Sequence, residues 1–310
     1  MDATDIRLCQ LLFANSRATV RELSDKLDIS IQATHRRMQN LKDEGIIRRY
    51  MTFLSVEYLR SRRVYVSGRT GLSDQDEVKR VLRSNDMVYV VLVAGDDFLN
   101  ISFIPREIKD LDDIAGFVRE KVRISDPFIS IESQVRFGDN VLNRRYTGPS
   151  ELSSVDYRIA HALQDDSRKM LEDIAEELEL SPRTVKRHLD RMIEEGALEF
   201  GLDWNPAYST GITSLVMVRI KKEVELWKVR DALGSAFGGS VIFITSFVNL
   251  GDVLGLYCWT PTVMSQKDLV DDIGRTEGVD MVTSKMLQDG WVQDTWRDRV
   301  LVEKAGFLNR

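Results

Sequence analysis

Residues 5–47 and 156–198 superpose with an offset of 151 and no gap, and they are identical at ten of 43 positions. Internal repeats are the first thing to seek in a chain, because a unit present twice constrains the fold before composition does. The identities are Asp5/Asp156, Arg7/Arg158, Leu12/Leu163, Ser16/Ser167, Arg17/Arg168, Leu27/Leu178, Ser30/Ser181, Arg36/Arg187, Glu44/Glu195 and Gly45/Gly196. Apolar character tracks as well, at Val20/Leu171, Leu23/Ile174, Ile29/Leu180, Met38/Leu189, Leu41/Met192 and Ile47/Leu198. These positions recur at the three-and-four spacing of helices with one buried face. Duplication is the economical explanation.

Each copy reads as three short helices, in the second copy at about 155–164, 170–177 and 182–195. Ser181 is an N-cap whose hydroxyl can accept a backbone N–H, and Pro182 suits the first helical position, where no donor is needed. Gly196 stops the third helix. The turn between helices two and three is only "LEL" or "LDI", which is helix-turn-helix spacing. The pattern then switches to period two. Copy one gives a strand at 63–68, a helix opened by Ser73, strands on either side of Gly95-Asp96-Asp97, a helix at about 106–122 and a last strand "FISIESQVRF". Copy two repeats the order: a strand at 212–220, a helix at 223–235, a hairpin at Gly251-Asp252, a helix at about 263–275 and a strand near 279–287. This βαββαβ order predicts a ferredoxin-like sheet with two helices on one face.

The fold class is therefore α+β: a winged-helix-type helix-turn-helix plus a ferredoxin-like domain, repeated twice. The expected division is 1–55, 60–138, a linker at 139–154 rich in Gly, Pro and Ser, then 155–205, 210–290 and a C-terminal extension at 291–310. The extension is expected to form a helix on the second sheet. No apolar run approaches the roughly 20 residues of a membrane helix, and no signal peptide opens the chain, so a cytoplasmic setting is expected. Cys9 and Cys258 are the only cysteines, too few for a disulfide framework or a thiolate metal site.

The stretch "DIRLCQLLFANSRATVRELSDKLDISIQATHRRMQNLKDEGII" and the hairpins "VAGDDFLNISF" and "FVNLGDVLGLYCW" carry a resemblance. The chain resembles the leucine-responsive regulatory protein/AsnC family of transcription regulators, applied twice over nearly its whole length. That resemblance implies a DNA-binding module, an effector-binding sheet domain and association through the sheets. One chain would supply both halves of a covalent pseudo-dimer. It also implies an effector site for an amino acid or similar molecule around Gly95, Asp96, Asp97, Gly251 and Asp252. Glycine–aspartate between strands is first of all a turn signal, and Val253 stands in copy two where copy one has Asp97.

On the third helices the pattern turns Gln32, His35, Arg36 and Gln39 outward in copy one, and Arg183, Lys186, Arg187 and Asp190 in copy two. Residues near such a helix N-terminus reach base edges in the major groove. Arg pairs bidentately with guanine and Gln with adenine; a solvated charged face is the plainer reading. Candidate DNA contacts are Ser30, Gln32, His35, Arg36 and Arg37 in copy one, and Ser181, Arg183, Thr184, Lys186 and Arg187 in copy two.

The copies differ in charge. From Met1 to Tyr50 nine Lys/Arg oppose seven Asp/Glu, whereas from Glu151 to Gly201 seven oppose thirteen. Phosphate contacts supply most non-specific affinity, so copy one should be the stronger reader and copy two either a local basic tip or a structural module.

The expected partner is double-stranded DNA, with a small amino-acid-like effector and self-association through the sheets, and no membrane. No catalytic residue, cofactor or metal is expected. Two other readings stand beside this one. The sirohaem decarboxylases resemble the same layout, but all three histidines (His35, His161, His188) lie outside the sheet domains, and no phosphate loop, metal spacing or nucleophile motif is present. A pure interaction protein would leave the basic tips without a role.

Overall fold

The computed structural model describes residues 1–137, 140–141, 146–149, 151–205 and 208–307. Copy one opens with α1 (Ala3–Ala14), α2 (Val20–Leu27) and α3 (Ile31–Asp43), copy two with α6 (Ser154–Ala162), α7 (Leu171–Leu178) and α8 (Pro182–Glu194). Side-chain caps set most of the starts: Asp2, Thr19 and Ser30 in the first, Ser153 and Ser181 in the second. The duplication extends to the backbone. Asp28 and Glu179, at equivalent positions, both end their second helix in the left-handed region, at φ 54° and 57°, and Gly45 and Gly196 follow the third helix at 72° and 75°. Glycine carries that conformation without a Cβ penalty. Met170 stands where Thr19 does and gives α7 no side-chain cap.

The strand leaving each module pairs with the other's. β1 (Ile47–Leu54) and β7 (Leu198–Trp204) run antiparallel, with Met51 opposite Gly201 and Thr52 opposite Phe200. Beside this ribbon the modules meet through residues that are identical in the two copies. Ser16 Oγ and Ser167 Oγ lie 2.5 Å apart. Arg168 donates to the carbonyls of Ser16 at 2.6 Å and Ala18 at 2.8 Å, and Arg17 donates to those of Ser167 and Lys169. Residue i contacts j and j contacts i, which is the signature of a two-fold interface. Burial and the facing Arg168 lower the Arg17 pKa.

Copy one then forms β2 (Val64–Arg69), α4 (Gln75–Arg83), β3 (Val88–Ala94), β4 (Phe98–Phe103), α5 (Asp110–Glu120) and β5 (Phe128–Phe137). Copy two forms β8 (Ile212–Ile220), α9 (Leu226–Phe237), β9 (Val241–Phe247), β10 (Val253–Thr260), α10 (Val263–Arg275) and β11 (Val279–Val292). Both have the ferredoxin-like order. Alternate residues such as Val66, Ile101 and Phe103 pack outward under α4 and α5, and Val218, Leu256 and Cys258 under α9 and α10.

The two sheets join edge to edge. β5 pairs with β2 over 128–131 and then crosses to β9 over 132–136. β11 pairs with β8 over 279–286 and then crosses to β3 over 287–292. Each crossing falls at a register shift, between Glu132 and Gln134 and between Leu287 and Asp289, as expected where a bulge turns a strand from one sheet to the next. The order β2-β4-β3-β11-β8-β10-β9-β5, with β5 returning to β2, is a closed eight-stranded barrel.

Four expectations give way. Asp74 rather than Ser73 caps α4. α5 starts at Asp110 because that carboxylate accepts the backbone N–H of Arg106 at 2.7 Å and of Glu107 at 3.2 Å, so a turn precedes the helix. Within the expected linker, Asn140–Val141 forms a short strand, β6, on β5, and Ser153 already caps α6; residues 139, 142–145 and 150 lie outside the described residues. The C-terminal helix α11 (Trp296–Lys304) packs not on the second sheet but between the second module and the first sheet domain. Trp296 enters the first domain's core, its indole donating to Ile104 O at 2.7 Å, while Leu301 enters the core of the second module. Residues 308–310 of the extension lie outside the described residues.

Candidate nucleic-acid interface

The two third helices present similar ends. Ser30 Oγ accepts the Ala33 N–H and Ser181 Oγ the Thr184 N–H, each at 3.1 Å. Thr34, Leu41, Val185, Leu189 and Met192 turn into the modules' cores. Gln32, His35, Arg36 and Gln39 are exposed on α3; Arg183, Lys186 and Arg187 are exposed on α8, with Thr184 and Asp190 half-buried. Neither first turn carries an acid, so the positive end of each helix dipole is left for an anion. Among the described residues Arg36 and Arg183 have no carboxylate partner. Lys186 is paired with Asp190 one turn on, and Arg187 lies 3.5 Å from His188 Nε2.

Arg37 is placed elsewhere. Its guanidinium reaches back to α1, to Asp5 at 2.7 Å and Asp2 at 2.9 Å, and so locks α3 onto the first helix. Position 188 does the same in copy two: His188 Nδ1 lies 2.7 Å and Arg191 2.6 Å from Asp156. Burial pushes the Asp156 carboxyl up, but hydrogen bonds from Arg191, Ser153 and His188 outweigh it and hold it at about 2.

The hairpins form the expected turns. Asp96 and Asp97 take φ of 61° and 54° between β3 and β4, the mirror-image turn that suits strand twist. A cavity of about 250 Å³ lies beneath, lined by Thr70, Asp96 and Asp97 from copy one and by Gln288 and Trp291 from β11. Asp96 is 3.3 Å from Arg69, with both side chains exposed. In copy two the Asp252 carbonyl accepts the Ile220 N–H at 2.8 Å.

Sequence reasoning missed two features. Ile31, at the tip of α3, is 52% exposed; an apolar group there can meet a thymine methyl. Arg17 and Arg168 hold the modules at a fixed mutual setting. Their signal was present in the sequence, as polar identities lying away from the recognition helices.

A family model described as winged helix-turn-helix DNA-binding matches residues 1–48 and 152–199. An uncharacterized HTH-type transcriptional regulator of Pyrococcus horikoshii is 30% identical over 128 residues, 40% of this chain and 85% of that protein. A second such regulator, from Pyrococcus furiosus, is 25% identical over 139 residues, 44% of this chain and 94% of that protein. In fold the chain is similar to the crystal structure of the siroheme decarboxylase NirDL, with a TM-score of 0.58 at 15% identity, covering 99% of this chain and 100% of that one. A fold hosts many functions, so that likeness is one of architecture. From the paired modules and the regulator relatives together, the chain belongs to the leucine-responsive regulatory protein/AsnC family of transcription regulators, as an internal tandem duplication.

Proposed function

We propose that the chain is a sequence-specific, cytoplasmic DNA-binding regulator that uses its two helix-turn-helix modules as one unit. The observation that carries this is the pair of serine-capped helices with exposed polar and basic tips, fixed to each other by the Ser16–Ser167 contact and by Arg17 and Arg168, each donating to carbonyls of the other copy. Gln32, His35 and Arg36 would read or clamp DNA in copy one, and Arg183, Thr184, Lys186 and Arg187 in copy two, with Ser30 and Ser181 presenting the helix ends to phosphate. Because the halves have diverged, the operator need not be palindromic. The division into two helix-turn-helix modules and two ferredoxin-like domains, with the linker ending before the Ser153 cap, is part of the proposal, as is an amino-acid-like effector at the Gly95–Asp97 turn, where the cavity draws residues from both copies.

The test is binding to a fluorescent duplex carrying the chain's own upstream region, titrated across salt. Affinity should fall with a log–log slope of about −0.9 per phosphate contact. No binding at low salt would remove this reading. The second reading, a tetrapyrrole-modifying enzyme, is favoured by the whole-length likeness to NirDL. It predicts a new Soret band on titration with haem; the regulator reading predicts none.

A further inference from the structure

The barrel interior is not filled. A cavity of about 200 Å³ lies at its centre, between the two copies. An eight-stranded barrel is just wide enough for its side chains to fill or to hold one small ligand. Here several inward positions carry small residues, Ser67, Ser102, Ser130, Thr245 and Gly255. Around them stand aromatic rings, including Tyr65 against Phe247 edge-on at 6.1 Å and Phe243 stacked on Tyr257 at 5.1 Å. One end is lidded by the β1–β7 ribbon through Phe53 and Trp204, and by Phe13 of α1.

Two polar features define what would fit. Ser102 Oγ is buried in this lining, the residue being 3% exposed, and has no hydrogen-bond partner among the described residues. Such an orphan is costly unless something supplies a partner. At the lid the charges cancel: Arg63 pairs with Glu132 at 3.0 Å and with Glu199, and Arg297 is 3.3 Å from Glu199. These four groups together carry no net charge. For size, a dry cavity of roughly 150 Å³ accepts benzene.

We propose that the barrel holds one uncharged aromatic molecule of one or two rings, with a single polar group hydrogen-bonded to Ser102. This site is separate from the hairpin cavity and does not depend on DNA binding. Its lid is built from the strands that leave the two modules, so occupancy bears directly on the β1–β7 ribbon.

Indole and indene, which share a shape but differ in the N–H, are the probes, titrated calorimetrically into the full chain. Indole should bind one to one and raise the melting temperature. Ser102→Ala should weaken indole roughly two- to tenfold and leave indene unchanged. Leu215→Trp, which fills the cavity from β8, should abolish both. Absence of saturable indole binding overturns the proposal. So does binding that a folded Leu215→Trp chain retains, or an indole-to-indene ratio that Ser102→Ala does not move. Should Leu215→Trp fail to fold, the Ser102→Ala ratio decides alone.

Discussion

The two helix-turn-helix modules have one fold but different attachments. The first rests directly on the barrel: Gln10 of α1 donates to the carbonyls of Val241 at 2.6 Å and Gly238 at 3.1 Å, and Ile6 packs with Ile242, Tyr257 and Trp259. The second rests on α11, with His161, at the position of Gln10, stacked on Phe307 at 4.5 Å. Surface charge differs in the same sense. Arg21 and Lys26 are exposed on α2, and their equivalents on α7 are the exposed Glu172 and Glu177. In helix-turn-helix docking the helix before the recognition helix crosses the phosphate backbone, and on that helix copy two carries acids where copy one carries bases. A duplicated unit can thus keep its frame in both halves while the surfaces of the two diverge in charge.

The two copies should differ most in stability at positions 199 and 48, which are equivalent. Glu199 is buried between Arg63 and Arg297, whose charges hold its carboxyl below the usual range against the opposing effect of burial. Glu199→Ala leaves two guanidiniums buried and should cost about 3–5 kcal/mol in urea unfolding. Arg48, a partly exposed partner of Asp203, should cost less than about 1 kcal/mol as Arg48→Ala.

Next comes acid. The folded Asp156 carboxyl sits at about 2, below its ordinary 3.8. Its contribution is therefore complete above pH 4 and disappears as pH falls toward 2. The size is about 2 kcal/mol, and Asp156→Asn should flatten that part of the stability–pH curve.

On DNA, Arg36→Ala should weaken binding about tenfold or somewhat more, the range of a lost base or phosphate contact. Arg187→Ala should weaken it less than about threefold. Equal losses would show two equivalent readers and undo the comparison. The smallest expected effect is a gain: Glu172→Arg with Glu177→Lys should steepen the salt slope by up to about 0.9 per phosphate newly reached.

The repeat, the Ser30 and Ser181 caps and the βαββαβ order were legible because each depends on residues close in sequence. Barrel closure was not. The pairings of β5 with β9 and of β11 with β3 are contacts between edge strands, and alternation along a strand does not name its neighbour. Arg297 shows a second limit. In "WRDRVLVEK" a charged residue reads as solvent-facing, yet it is 1% exposed and lies over the Phe53 ring at 4.1 Å. Arg37 shows a third: its outward neighbour Arg36 has the same chemistry, and only the position of Asp2 and Asp5 on α1 separates the two.

The reciprocal Ser16–Ser167 contact joins two parts of one polypeptide, and that changes how the protein responds to its own abundance. A two-fold regulator made of separate subunits comes apart on dilution, so its occupancy of an operator rises faster than linearly with copy number. Here the halves share one chain, and their local concentration is fixed by connectivity. Occupancy by a single chain should follow a simple hyperbola down to the lowest expression level, and halving the gene dose should halve the bound fraction where binding is sparse.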